Sequence, residues 1–168
     1  QDQYECIEWT AAQSWCSGKV GLNGISYYAM NQWQTAALQP PHLTAMCAWE
    51  GASDYYRELC RHGGILSDFL DGWYLRQVKS VQYGVGSRAH VNPNTGRSVA
   101  GDITLSDDVL ASRRAETHLD AQNHELLDDF YKARIPDYSK IKTPLLSAGN
   151  WGGIGLHPRG NFEGYLQS

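Results

Sequence analysis

Apolar and polar positions along the first fifty residues switch between two periods. Residues 3–14, QYECIEWTAAQS, place Tyr4, Ile7, Glu8, Ala11 and Ala12 at helical spacing, and Cys6, Trp9 and Thr10 widen the stripe. Gly18 stops this helix. Residues 19–22 are short and mostly apolar, as a buried parallel strand would be. Residues 26–38 then predict a helix with Met30, Trp33, Ala37 and Leu38 on one side, ended by Pro40-Pro41. LTAMCAW, residues 43–49, predicts a second apolar strand. Helix, strand, tight turn, helix, strand is the alternation of a doubly wound α/β sheet. Ligands of such sheets bind at the carboxyl ends of strands. Ser26 follows one strand end and Glu50 the next.

The middle of the chain has a different pattern. Residues 65–83 are amphipathic and aromatic-rich, predicting a helix. Residues 84–104 hold Gly84, Gly86, Gly96, Gly101 and the turn-like Asn92-Pro93-Asn94, predicting a loop. Ser106 followed by Asp107 and Asp108 is an N-cap with acids in the first turn. From there to Arg134 the pattern is charged and helical, and Pro136 closes it. Residues 64–138 therefore predict a helical cap inserted into the fold, without strands, between core pieces 1–63 and 139–168. In the last piece Leu145-Leu146-Ser147-Ala148 reads as a short strand. Gly149-Asn150-Trp151-Gly152-Gly153 is a glycine-rich turn, and residues 161–167 start another helix. The expected fold is α/β.

Composition narrows the function classes. With 42% hydrophobic and 19% charged residues among 168, the chain is globular in character. A net charge of −4 argues against nucleic acid or an anionic membrane as partner. Six Trp, ten Tyr and three Phe suit a packed core and an aromatic-lined pocket alike. None of the four cysteines, Cys6, Cys16, Cys47 and Cys60, forms a CxxC pair, so the expectation is thiols, mostly buried, with no zinc site. No apolar run is long enough to span a membrane, and no signal-peptide pattern is visible, which favours a cytoplasmic location. Both ends of the sequence fall within helical patterns, the expectation for a piece of a longer protein.

Ser26 is the residue with the sharpest chemistry. A serine hydroxyl needs a base within hydrogen-bond reach and donors aimed at the developing oxyanion. A tight strand-to-helix turn supplies the geometry, exposing the hydroxyl and turning the next N–H toward the oxyanion. Small residues flank such a serine because strand and helix backbones approach closely; here Gly24 and Ala29 do so. Tyr28 stands where the common G-x-S-x-G pattern has its second glycine.

The longer stretches EWTAAQSWCSGKVGLNGISYYAMNQW, LQPPHLTAMCAWEGASDYYRE and HGG, within residues 4–64, resemble the Xaa-Pro dipeptidyl-peptidase-like family of α/β-hydrolases, the group that includes cocaine esterase and acylases. The elbow of that family reads G-x-S-Y-x-G, which accounts for Tyr27 and for the absent glycine at 28; Ala29 replaces the last glycine. IKTPLLSAGNWGGIGLHPRGNFEGY resembles the family's next strand and turn. The resemblance implies that Ser26 is the acylated nucleophile and the Tyr27 N–H one oxyanion donor. A second donor, a tyrosine hydroxyl, would precede Gln1. The substrate would be a small-molecule ester, an amide or a short peptide, with no cofactor, and the oligomeric state stays open.

The resemblance also exposes a departure. The family has Gly-Trp-x-Asp in the turn after the later strand, whereas this chain has Asn150-Trp151-Gly152-Gly153, with Gly153 at the acid position. The triad order is serine, acid, histidine. His42, His62, His90, His118 and His124 precede this turn, and His157 follows it closely, so His157 is expected to cap or lie on the surface and the base to lie beyond residue 168. In amino-ester members a carboxylate near Glu50 and Asp54 binds the substrate's α-ammonium; the plain alternative for Asp54 is a helix-start acid paired with Arg57. Trp49 either walls the acyl pocket or packs in the core, and Trp73 and Tyr74 either line the cap or pack within it. Asp107-Asp108 and Asp128-Asp129 lack a calcium-loop pattern and read as solvated helix faces, and Arg159 faces Glu163 at i,i+4. The expected function is a serine hydrolase of ester or amide bonds; the alternative, which Gly153 favours, is a hydrolase-like fold serving as a binding or scaffold module.

Overall fold

The computed structural model describes residues 1–79, 89–99, 105–153 and 155–168. The chain divides into two compact units, Gln1–Gly64 with Leu126–Ser168, and Ile65–Glu125.

The first unit carries a parallel three-stranded sheet in the order β1-β2-β5, with β1 at Val20–Ile25, β2 at Leu43–Trp49 and β5 at Leu145–Ala148. Helix α1 (Asp2–Ala11) precedes β1, α2 (Tyr27–Ala37) joins β1 to β2, and α7 (Pro158–Gln167) follows β5. This is the α/β alternation expected from the hydrophobic pattern. Strand β1 runs three residues past the apolar stretch, through Asn23 and Gly24, because the ladder to Cys47 and Ala48 continues whatever the side chains are. Ile7, Ala29, Trp33, Ala36, Leu43, Met46, Ala48 and Ile141 form one buried cluster under the sheet. Trp33 is fully buried, and its indole N–H donates to Gly51 O at 3.1 Å.

Helix α7 docks through its small residues. A Cβ at Gly160 would fall 2.5 Å from Gly51 O and Ser53 N, and one at Gly164 would fall 2.7 Å from the Trp33 ring. Asn161, 5% exposed, fastens the contact. It accepts from Gly51 N at 2.8 Å and donates to Ala48 O at 3.0 Å and Ser147 Oγ at 2.9 Å, tying α7 to the ends of β2 and β5.

The middle of the chain departs from the expected long helices. The expected helix 65–83, of which residues 65–79 are described, does not start at 65: Ile65–Leu66 is a short strand, β4, after the short strand β3 at Arg61–His62, and among the described residues of this stretch Phe69–Trp73 (α3) and the π-helical turn Tyr74–Val78 are the helical ones. Val91 also bridges Ser98, so this part is not free of extended structure. The predicted turn at Asn92 is present, with its side chain accepting from Asn94 N and Thr95 N at 2.9 and 3.3 Å; Gly84, Gly86 and Gly101 lie outside the described residues. The charged stretch from Ser106 breaks into α4 (Asp107–Ser112), a 3₁₀ turn at Thr117–Leu119, α5 (Asp120–Asn123) and α6 (Asp129–Lys132). Ser106 caps α4 as expected, accepting from Val109 N, and Asp128 caps α6, accepting from Tyr131 N at 3.4 Å. Tyr74 is buried and stacks on His118 at 4.2 Å, and Trp73 stacks on Phe69 at 6.4 Å. The expected cap segment 64–138 and the second unit overlap over Ile65–Glu125, while Tyr131 packs against Tyr56 at 4.8 Å in the first unit.

The four cysteines are thiols, but only Cys60 is buried; Cys16 and Cys47 are partly exposed and Cys6 is exposed, since α1 turns Ile7 rather than Cys6 to the core. Among the described residues no helix is long and apolar enough to cross a membrane.

Candidate active site

Three strand ends meet on one side of the sheet, and β1 and β2 each continue the ladder by one bond into the turn that follows. Ser26 N donates to Trp49 O at 3.0 Å, and Glu50 N donates to Ala148 O at 2.8 Å. Ser26, Glu50 and the turn after β5 therefore lie side by side.

Ser26 has the backbone of a nucleophile elbow. Its φ of 59° and ψ of −118° are unfavourable for a residue with a Cβ, a strain that persists only where surrounding structure enforces it. Here β1 holds one side, and the first bonds of α2 hold the other, Ala29 N and Met30 N both reaching Ser26 O at 2.9 Å. A Cβ at Gly24 would sit 2.5 Å from Tyr28 Cβ, so the turn closes only over glycine. Tyr27 begins α2, where helix N–H groups have no intrahelical acceptor, so its N–H is available to an oxyanion.

His157 departs from the capping or surface role expected of it. It occupies the N-cap position of α7 but makes no cap bond, is 7% exposed, and places Nε2 3.1 Å from Ser26 Oγ. The sequence signal was Pro158, which marks helix position N1 and so sets His157 at a helix start just beyond a strand end. What the sequence does not show is that α7 returns this residue to the end of β1.

The second ring nitrogen decides what His157 can do. Nδ1 accepts the Ala52 N–H at 3.2 Å. A neutral imidazole has one donor and one acceptor nitrogen, so the proton sits on Nε2 and Nε2–H donates to Ser26 Oγ. Burial lowers the His157 pKa, with the charge of Glu50 opposing in part, which favours this neutral form. A triad histidine needs the reverse: a free Nε2 lone pair toward the serine and Nδ1–H toward an acid. As placed, His157 holds the serine oxygen by donation and leaves the hydroxyl proton free to point elsewhere.

The loop after β2 is fixed by side chains at four successive N–H groups. Gly51 donates to Asn161, Ala52 to His157, and Ser53 and Asp54 both to Glu58 Oε2, at 2.6 and 3.1 Å. Burial pushes the Glu58 carboxyl pKa up, while the Asp54 and Ser53 N–H groups and Arg159 pull it back. Arg159 reaches Glu58 Oε1 at 2.8 Å, a closer partner than Glu163 at 3.6 Å. Asp54, 4% exposed, accepts from Arg57 N at 3.0 Å and from the Arg57 guanidinium at 2.6 Å, so both its oxygens are engaged as in the helix-start alternative. Trp49 is 44% exposed, with its indole N–H on Asn23 Oδ1 at 2.7 Å, and belongs to the strand-end surface rather than the core.

Glu50 is the remaining carboxylate. Its backbone is left-handed (φ 51°), and its Oε1 is buried without a hydrogen-bond partner among the described residues. A Cβ built on Gly153 would overlap Glu50 Oε2. The structure thus brings together Ser26, Glu50 and His157, and leaves Asp54 bound to Arg57.

The chain is similar to known proteins in sequence and in fold. The family model described as X-Pro dipeptidyl-peptidase (S15 family) matches residues 1–167. The cocaine esterase of Rhodococcus sp. (strain MB1 Bresler) is 36% identical over 116 residues, covering 66% of this chain and 19% of the esterase. Two crystal structures of a CocE/NonD family hydrolase from Staphylococcus aureus superpose with a TM-score of 0.69 each, at 40% and 41% identity. Both cover 99% of this chain, and 26% and 25% of theirs. The chain thus spans about a fifth to a quarter of the length of these relatives.

Proposed function

The chain belongs to the X-Pro dipeptidyl-peptidase (S15) family of hydrolases, and from that premise we propose that it carries the nucleophile of a serine hydrolase acting on an ester or amide. The observation that carries the reading is Ser26 on a strained strand-to-helix turn, its oxygen held by His157 and its neighbour's N–H unclaimed by the helix.

In this reading the Ser26 proton passes to a histidine base contributed by the rest of the protein, because His157 presents a proton, not a lone pair. Oγ bonds to the substrate carbonyl carbon, and the carbonyl oxygen becomes an oxyanion on the Tyr27 N–H. Removing one such donor costs about 10²–10³ in kcat where it has been measured. Collapse breaks the bond to the leaving alcohol or amine, which takes the proton back from the base. Water then repeats the sequence on the acyl-enzyme, releasing the acid and restoring Ser26. The His157 Nε2–H stays on Oγ throughout and steadies its developing charge. Trp49, exposed at the end of β2, offers an apolar wall to the acyl group.

The test uses the full-length protein. A fluorophosphonate probe should label the wild type and fail on Ser26→Ala, and hydrolysis of p-nitrophenyl esters or an Xaa-Pro anilide should fall with it. Equal labelling of both proteins would refute the assignment of Ser26.

A further inference from the structure

A glycine stands where the family resemblance places the acid, and a carboxylate from the neighbouring strand end reaches the same point. Strands β2 and β5 pair in parallel as far as Trp49 and Ala148, so Glu50 and Gly149 leave the sheet together. Five residues past the end of β5, the chain reaches Gly153, where the Glu50 carboxylate already occupies the room a side chain would need. We propose that Glu50 is the acidic member of the triad, supplied from the end of β2 in place of an aspartate at 153. It acts as a positioning residue, orienting the histidine base of the serine reaction, and so rests on the function proposed above.

Three features support the assignment. Glu50 Oε1 is buried and lacks a donor among the described residues, a costly state that an imidazole Nδ1–H would relieve. The left-handed backbone of Glu50, unfavourable for any residue with a Cβ, turns the chain off the strand and brings the side chain to Gly153. The other acid of this loop, Asp54, is occupied by Arg57. The family's usual acid has not been lost; it has moved by one strand, and Gly153 makes the room.

The experiment moves it back. In the full-length protein Glu50→Gln keeps the shape and removes the charge. Its kcat on a p-nitrophenyl ester should fall about 10⁴-fold, the loss seen when a triad acid is neutralised, with KM changed little. Slow fluorophosphonate labelling of Ser26 should persist. The double variant Glu50→Gly with Gly153→Asp restores a carboxylate from the other strand. Glycine suits the positive φ at 50, and the φ of Gly153 lies outside the left-handed region, so both changes fit the backbone. This variant should regain at least tenfold in kcat over Glu50→Gln, whereas Gly153→Asp alone crowds two carboxylates together and should not exceed the wild type. The proposal is overturned by an unchanged kcat in Glu50→Gln, by a loss confined to KM for substrates bearing an α-ammonium, or by a folded double variant with no recovery. Absence of Ser26 labelling in the wild type would overturn the serine reading itself, which separates the two failures.

Discussion

Replacing His157 separates a base from a hydrogen-bond donor, because the two roles differ by orders of magnitude. In His157→Ala the Ser26 oxygen loses one neutral donor, a bond worth about 0.5–1.5 kcal/mol net. At about 1.4 kcal/mol per decade, kcat should fall only ~2- to 13-fold. Loss of a triad base costs about 10⁶-fold. The same change orphans the Ala52 N–H, which is fully buried, and should lower stability by about 1–3 kcal/mol. The assay is steady-state hydrolysis of a p-nitrophenyl ester by the full-length protein, corrected for the fraction of sites labelled by the fluorophosphonate. Thermal unfolding in parallel reads the stability term. His157→Gln, whose amide can still donate to Oγ, should lie between wild type and alanine. A loss beyond about 10⁴-fold with the fold intact would show that His157 is the base and that the Ala52 N–H does not fix its tautomer in the active enzyme.

Asn161→Ala removes the acceptor of Gly51 N–H and the donor to Ala48 O, two buried backbone groups. At about 1–3 kcal/mol for each, it should cost roughly 2–6 kcal/mol, read as a lower urea midpoint; an unmoved midpoint would mean that α7 is not fastened there. The His157 pKa is lowered by burial from its ordinary 6.5, so below that value the unfolded chain binds the proton that the folded state resists. Its contribution is therefore present above pH 6.5 and lost as pH falls through the depressed folded value. Unfolding followed by pH should show stability rising toward pH 6.5, and His157→Gln should flatten that rise.

The parts of the fold legible in the sequence are those written in local pattern. The β2 run LTAMCAW coincides with the strand, and α2 starts and stops where the turn and Pro40-Pro41 put it. The charged stretch after Ser106 has a helical pattern throughout, yet favourable residues alone do not supply an apolar stripe to pack. Segments of four to six helical residues result there, at α4, α5 and α6. At the site, local pattern finds Ser26 and stops. The elbow is a property of seven consecutive residues, GISYYAM, and it is readable. The Ser26–His157 bond spans 131 positions, and no spacing rule encodes it.

The acid illustrates the limit best. Read linearly, Glu50 is a surplus carboxylate after one strand, and Gly153 is a deficit after another, 103 residues later. The deficit favoured a binding module without catalysis. The two become one observation only when the sheet order β1-β2-β5 sets their strand ends side by side. A catalytic sheet constrains where a carboxylate must arrive, not which strand delivers it. Parallel neighbours end within one ladder step of each other, so either turn can reach the same point with a side chain of suitable length. Glutamate has one methylene more than aspartate, which suits the departure from β2, and glycine at 153 is then what the exchange demands of the other strand. On this argument Gly153 counts for catalysis rather than against it.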